Sequence, residues 1–419
     1  MTRANAQDLL LTMFRAAISA ADPRDVLTPY LPEKPEGRII VVGAGKASAA
    51  MARAVEAAWP DVDMTGAVVV PYGHGAPTSR ISVLEAAHPV PDRAGLATAN
   101  TLMELASGAR QGDLVLALIS GGGSALLPCP QPPLTFEDEV AINRRLLRSG
   151  LAIDDMNKIR RRMSVIKGGG LARAAAPARV VTLAISDVPG DDPAAIASGP
   201  TIPDPSASED LSTLAAALGD GLPEGFLSLL AAPDVERDTG PADVRLIATP
   251  QMALDAAAAT ADLSNVHPVL LGDALEGEAR ELGRVMAGVA RSVAAHGVPS
   301  RPPAALISGG ETTVTIGAGT PGRGGRNTEF LLSLALELDG AKGIYAIAGD
   351  TDGIDGSEDA AGAIISPDTL RDMRRAGIDP TAALAAHDSY SAFDAIGALI
   401  KTGPTLTNVN DFRVILITD

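Results

Sequence analysis

The chain has 419 residues, 46% of them hydrophobic and only 3% aromatic, with a formal net charge of −17. At about 150 residues per domain this length means two or three domains, with cores built from Ala, Val, Leu and Ile. So acidic a surface excludes nucleic acid and anionic membrane as natural partners, and any site for a small anion must gather Lys and Arg locally.

Near the N-terminus Leu9, Met13 and Ile18 recur at helical spacing. Asp8 and Arg15 leave the apolar run between them too short for a signal peptide, so an amphipathic helix and a cytoplasmic location are expected. No stretch is long and apolar enough to span a bilayer. The single cysteine, Cys129, sits between Pro128 and Pro130, cannot form an intrachain disulfide, and fits a reducing compartment.

The apolar run Ile39–Val42 predicts a buried strand, Gly43-Ala44-Gly45 a tight turn, and 46–58 a helix. Strands follow at Ala67–Val70, Ile81–Ala86, Leu114–Ile119 and Val180–Ile185, with helical sequence at Asp92–Ser107 and within 136–163. Strands apolar on both faces and alternating with helices imply a doubly wound parallel sheet. The Pro- and Asp-rich stretch 203–243 reads as a connection, with its later part, Pro233–Pro241, as the domain linker. A second α/β series then runs through strands at Val244–Ala248, His267–Leu271, Ala304–Ile307, Thr312–Ile316, Ile344–Ala348 and Arg413–Thr418, with a long helix at Glu276–His296. The expected domains are 1–238 and 239–419. Leu118–Gly122 and Leu306–Gly310 share the string LISGG, a weak internal echo of duplication.

Gly43, Gly45 and Lys46 stand between a strand and a helix, where backbone N–H groups attract anions; a turn that only permits close packing is the plainer reading. The third glycine of a dinucleotide fingerprint is absent, with Ser48 in its place, and P-loop spacing is not met. Ser120, Gly121, Gly122, Gly123 and Ser124 follow another strand and read as a phosphate cradle or a flexible turn. Lys158, Arg160, Arg161, Arg162 and Lys167 form the densest basic cluster, and Lys167 precedes three glycines. Asp187, Asp191 and Asp192 lie in one acidic loop and Asp350, Asp352 and Asp355 in another; such carboxylates suit Mg²⁺ or cap turns. The second loop does not complete a calcium motif, since Ala361 holds the twelfth position. Arg323, Arg326 and Asn327 belong to a glycine-rich segment opening a helix and are suited to grip carboxylate or phosphate. The five histidines show no zinc spacing, and His88 in HPVPD is a substrate contact or a turn residue.

In order along the chain, VVGAGKASAAM, HPVPD, LISGGGSALLP, MNKIRRRMSVIKGG, ISDVPGDDPAAIASGPT, SGGETTVTI, GRGGRNTEF, TDGIDGSEDAAGA and TGPTLTNVND resemble the glycerate 2-kinase family with a C-terminal MOFRL domain. The resemblance implies ATP-dependent phosphorylation of D-glycerate to 2-phosphoglycerate. It also implies a Rossmann-like first domain, an α/β second domain and an active site in the cleft between them. The family's proposed catalytic Lys and Arg match Lys46 and Arg326. With the resemblance, the phosphate-binding set is Gly43, Gly45, Ser120–Ser124 and Lys167, and the substrate-binding set is Arg323, Asn327, Glu311, Asn408 and Asp411. Asp187 is the candidate base, and Asp191, Asp192, Asp352 and Asp355 are candidate Mg²⁺ ligands. The partners are then glycerate and ATP, and the assembly a monomer or homodimer. Leu406 stands where the family commonly has Gly, and Thr328 where Gln is usual. Members are often labelled hydroxypyruvate reductases, so an NAD(P)H-dependent reductase is the alternative, and a non-catalytic sugar-acid-binding protein a third reading.

Overall fold

A computed structural model describes residues 1–233, 242–317 and 320–418. Its uninterrupted apolar runs become strands with almost no solvent contact. The first sheet contains β1 (Ile39–Ala44), β2 (Met64–Pro71), β3 (Ile81–Ala86), β4 (Leu114–Ile119), β5 (Arg179–Ile185) and β6 (Asp243–Ala248), in the order β3-β2-β1-β4-β5-β6. The pairs β3–β2, β2–β1, β1–β4 and β4–β5 are parallel. The order reverses between β1 and β4, and in such sheets ligands bind beyond the carboxyl ends of the strands at that switch point.

The second sheet is mixed. It contains β7 (His267–Leu270), β9 (Ala304–Ser308), β11 (Ile344–Asp350), β12 (Gly362–Ile365), β13 (Leu399–Ile400) and β14 (Asp411–Ile417), in the order β13-β12-β11-β14-β9-β7. Only β7–β9 is parallel; β14 is antiparallel to both β9 and β11. The short strands β8 (Gly277–Glu278) and β10 (Thr312–Thr313) form a separate ribbon. The two sheets therefore do not share a topology, and the LISGG echo marks no repeated fold.

The chain divides into two compact units, Pro23–Ile247 and Met1–Asp22 with Ala248–Asp419. This differs from the expected domains in two ways. The first helix, Arg3–Ser19, belongs with the C-terminal unit, because its buried face packs Phe14 against Phe412 of β14, ring centroids 5.6 Å apart. The strand at 243–248 does not open the second series but forms the edge of the first sheet. The expected boundary at 238/239 and most of the expected linker lie outside the described residues. No described helix is long and apolar enough to cross a membrane.

Candidate functional site

The carboxyl ends of the parallel strands gather the chemistry of the N-terminal unit. Lys46 follows β1, His74 follows β2, His88 follows β3, Ser120–Ser124 follow β4 and Asp187 follows β5. The first and fourth of these flank the switch point.

The Gly-Ala-Gly-Lys turn works differently from expectation. Gly43 is not in the turn: β1 continues through Ala44, and a Cβ on Gly43 would lie 2.5 Å from the Leu118 carbonyl oxygen of β4. It permits close strand packing there. Gly45 has φ +134°, and a Cβ there would lie 2.2 Å from Ser120 Oγ. The Lys46 N–H donates to the Gly121 carbonyl at 2.9 Å and the Ala47 N–H to Ser120 Oγ at 3.0 Å. These N–H groups are thus already bonded, so the turn is a mount that fixes the backbone from which the half-buried Lys46 side chain extends. Ser48 closes the packing by donating to the Leu118 carbonyl at 2.9 Å.

Gly122, at φ +80°, marks where this lysine meets a histidine: a Cβ there would lie 3.2 Å from His88 Nε2 and 3.5 Å from Lys46 Cγ. His88 is exposed to solvent as a residue, yet desolvation of its ring, then the charge of Lys46, holds the imidazole down to about 4. His74 is buried, and burial likewise lowers its pKa. Its Nδ1 lies 3.3 Å from the Tyr72 carbonyl, and its Nε2 has no partner among the described residues. Nothing in the sequence marked His74 beyond its position after a strand.

The basic cluster separates into residues with different tasks. Lys167 is 1% exposed and pairs at 3.2 Å with the equally buried Glu139. This pairing gives Lys167 a structural partner at its ammonium. Arg161 pairs with buried Asp204 at 2.7 Å. Arg162 donates to five backbone carbonyls, those of Ser206, Ala207, Glu209, Leu230 and Ala232, and so fastens the 203–232 segment.

In the C-terminal unit Arg326 opens the helix Arg326–Leu338. It donates to Asp411 at 2.8 Å, to Asp350 at 2.9 Å, to Asn410 at 3.1 Å and to Glu311 at 2.5 Å. Asp411 also accepts from Asn327 at 2.8 Å and from buried Arg413 at 2.6 Å, so both its oxygens are engaged. Asp411 accepts from Arg326 directly and Asn327 bonds to Asp411, so both brace Arg326. Arg323 lies 4.0 Å above the Tyr390 ring and pairs with Glu358 at 2.5 Å, while its side chain stays more than half exposed. Asn408 is buried and accepts the Asn410 N–H at 3.1 Å, which shapes the loop before β14.

The aspartates of the acidic loops make turn and cap contacts. Asp355 is 1% exposed and accepts the N–H groups of Asn327 and Thr328 at 2.9 Å each, the Thr328 hydroxyl at 2.8 Å and Asn327 Nδ2 at 3.4 Å. It caps the helix that carries Arg326, and burial raises its pKa to about 6. Asp352 accepts the Ile354 N–H at 2.8 Å and Asp192 the Ala194 N–H at 3.0 Å, both turn contacts. Asp191 adopts φ +56° in the same turn as Asp192. Among the described residues no three His, Cys, Asp or Glu side chains group to hold a metal, and Asp355, Asp352 and Asp192 each accept backbone N–H groups.

Residues 9–230 match a family described as a domain of unknown function, DUF4147, and 304–411 match the MOFRL family. The chain belongs to the DUF4147–MOFRL family. It is 57% identical over 415 residues to a protein of Agrobacterium vitis named "Putative hydroxypyruvate reductase", covering 99% of this chain and 95% of that one. It is 37% identical over 410 residues to the D-glycerate 2-kinase of Thermotoga maritima, covering 98% of both. A crystal structure of a glycerate kinase from Thermotoga maritima superposes with a TM-score of 0.89 at 36% identity, covering 99% of this chain and 100% of that one. Of the two matched segments, 9–230 takes in β1 to β5 but begins within the first helix, which belongs to the C-terminal unit, and 304–411 takes in Arg326 and its carboxylates.

Proposed function

We propose that this protein transfers the γ-phosphoryl group of ATP to the 2-hydroxyl of D-glycerate, giving 2-phosphoglycerate and ADP. The observation that carries this reading is the 37% identity to a D-glycerate 2-kinase across 98% of both chains. The rigidly mounted Lys46 at the switch point adds to it. Phosphoryl transfer asks a protein mainly to position the reactants and neutralise charge, and a fixed ammonium beside neutral imidazoles does both. The β–γ bridging oxygen leaves with the electron pair as the substrate oxygen bonds to phosphorus. Asp187, half-buried at the end of β5, is the candidate to accept the hydroxyl proton. In the C-terminal unit, Arg326 Nη1 pairs with the half-exposed Glu311, and this is the donor most readily exchanged for a substrate oxygen. Mg²⁺ belongs to the proposal as the ion that a nucleoside triphosphate carries; no protein ligand is assigned to it.

The name of the Agrobacterium vitis relative favours a second reading, a nicotinamide-dependent reductase. Two observations weigh against it. Ser48 replaces the third fingerprint glycine and is bonded into the helix packing. At the end of β2, where the ribose-binding acid would stand, the chain has Pro71. Purified protein with ATP, Mg²⁺ and D-glycerate, and separately with NADH and hydroxypyruvate, tests the two. Glycerate-dependent ADP release supports the kinase; NADH oxidation without ADP release refutes it.

A further inference from the structure

Arg160, Arg161 and Arg162 close the helix Ile153–Arg162, yet their surroundings differ. Arg161 has its carboxylate and Arg162 its ring of carbonyls. Arg160 is partly buried, and among the described residues its side-chain hydrogen bonds go to two neutral amides: Nε donates to Asn143 Oδ1 at 3.3 Å and Nη1 to Asn157 Oδ1 at 3.1 Å. Burial alone acts on its pKa, downward, with no carboxylate opposing it among the described residues. A guanidinium taken out of water normally has an anion beside it.

The amide that aims it leads to the switch point. Asn157 Oδ1 also accepts from Ser198 Oγ at 3.4 Å, and Ser198 Oγ lies 2.9 Å from Ser124 Oγ in the turn after β4. Ser198 and Ala197 adopt φ of +60° and +51°. Non-glycine residues hold such values only where surrounding structure enforces them, and these positions cluster at ligand sites. Gly123 makes the fit possible, since a Cβ there would lie 2.7 Å from Ala197 Cβ.

We propose that Arg160, with the Ser124 and Ser198 hydroxyls, binds an oxyanion of the nucleotide, a phosphate oxygen, beside the glycine turn after β4. The proposal rests on the kinase reading for the identity of the anion. The guanidinium supplies the charge, the hydroxyls donate, and Asn143 and Asn157 hold the fork in place. Glycerate's carboxylate has the same chemistry, so the test separates the two sources.

The test measures ADP binding by titration calorimetry, and KM for ATP and for glycerate, in the wild type, Arg160→Gln and Arg160→Lys, with melting temperatures alongside. Loss of a charge-assisted contact weakens ADP binding and raises KM for ATP at least about tenfold in Arg160→Gln. KM for glycerate stays within about twofold, and Arg160→Lys recovers part of the loss. Unchanged ADP affinity in folded Arg160→Gln overturns the proposal, as does a rise in the glycerate KM alone. A wild type that binds ADP but does not phosphorylate glycerate overturns the kinase reading and leaves the ADP comparison decisive for Arg160.

Discussion

The Ser120 hydroxyl accepts the Ala47 N–H at 3.0 Å, so the turn after β4 is bonded to the turn that carries Lys46. Ser120→Ala leaves that buried N–H without a partner, which costs about 1–3 kcal/mol. Gly45→Ala is more severe, because it forces a Cβ onto Ser120 and a strained φ. Denaturant unfolding should show both losses in that order, and kcat should fall further than stability explains as Lys46 loses its mount. A Gly45→Ala protein with wild-type stability and turnover contradicts this.

Lys167 and Glu139 form a buried pair. Lys167→Met strands the carboxylate and should destabilise by about 3–5 kcal/mol, whereas Lys167→Met with Glu139→Leu should recover most of it. The double variant, if folded, should bind ADP like the wild type. Weakened ADP binding in that stable variant would instead mark Lys167 as a phosphate contact.

Asp355 titrates near 6 when folded, against an ordinary 3.8. Between these values the folded state holds a proton that the unfolded state has released. Asp355 therefore contributes stability at low pH that is lost as pH rises through about 6, on the order of 3 kcal/mol. Other carboxylates act in the opposite sense, so the effect appears as a difference. Subtracting the unfolding free energies of Asp355→Asn from the wild type across pH 4–7 should leave a falling curve. A flat or rising difference rejects it.

Leu406 has φ +61°, the left-handed region that favours glycine. The loop before β14 thus keeps a glycine-like backbone in spite of the side chain. Relief of about 1 kcal/mol in Leu406→Gly should raise the melting temperature by roughly 2–4 °C, and Leu406→Val should lower it. The reverse order would show that the side chain's packing outweighs the strain.

Much of the first sheet is legible in the sequence because strands buried on both faces are written as continuous apolar runs. Ile81–Ala86 and Leu114–Ile119 appear with the expected bounds. Gly362–Ile365 escaped because it is short and begins with the glycine that lets it approach β11, and Leu399–Ile400 is only two residues long. The edge strand at 243–248 read as the start of a new series because its partner β5 lies more than fifty residues back, across a Pro-rich stretch. Site residues were legible by type but not by task. Lys167 beside three glycines looks like an anion contact until Glu139, 28 positions away, is brought to it. Three consecutive arginines give no hint that one pairs with an acid, one clamps carbonyls and one has only amides. Tertiary partners decide these roles, and local pattern does not carry them.

The most direct measurement is phosphorus NMR of ATP, Mg²⁺ and D-glycerate with the wild type and with Lys46→Met. The account predicts that the wild type converts the γ-phosphate signal to that of 2-phosphoglycerate. Lys46→Met, folded to the same melting temperature, should be slower by roughly 10²–10³, the usual effect of removing one transition-state charge contact. A wild type that leaves ATP and glycerate unchanged, or a Lys46→Met protein that makes 2-phosphoglycerate at the wild-type rate, would contradict it.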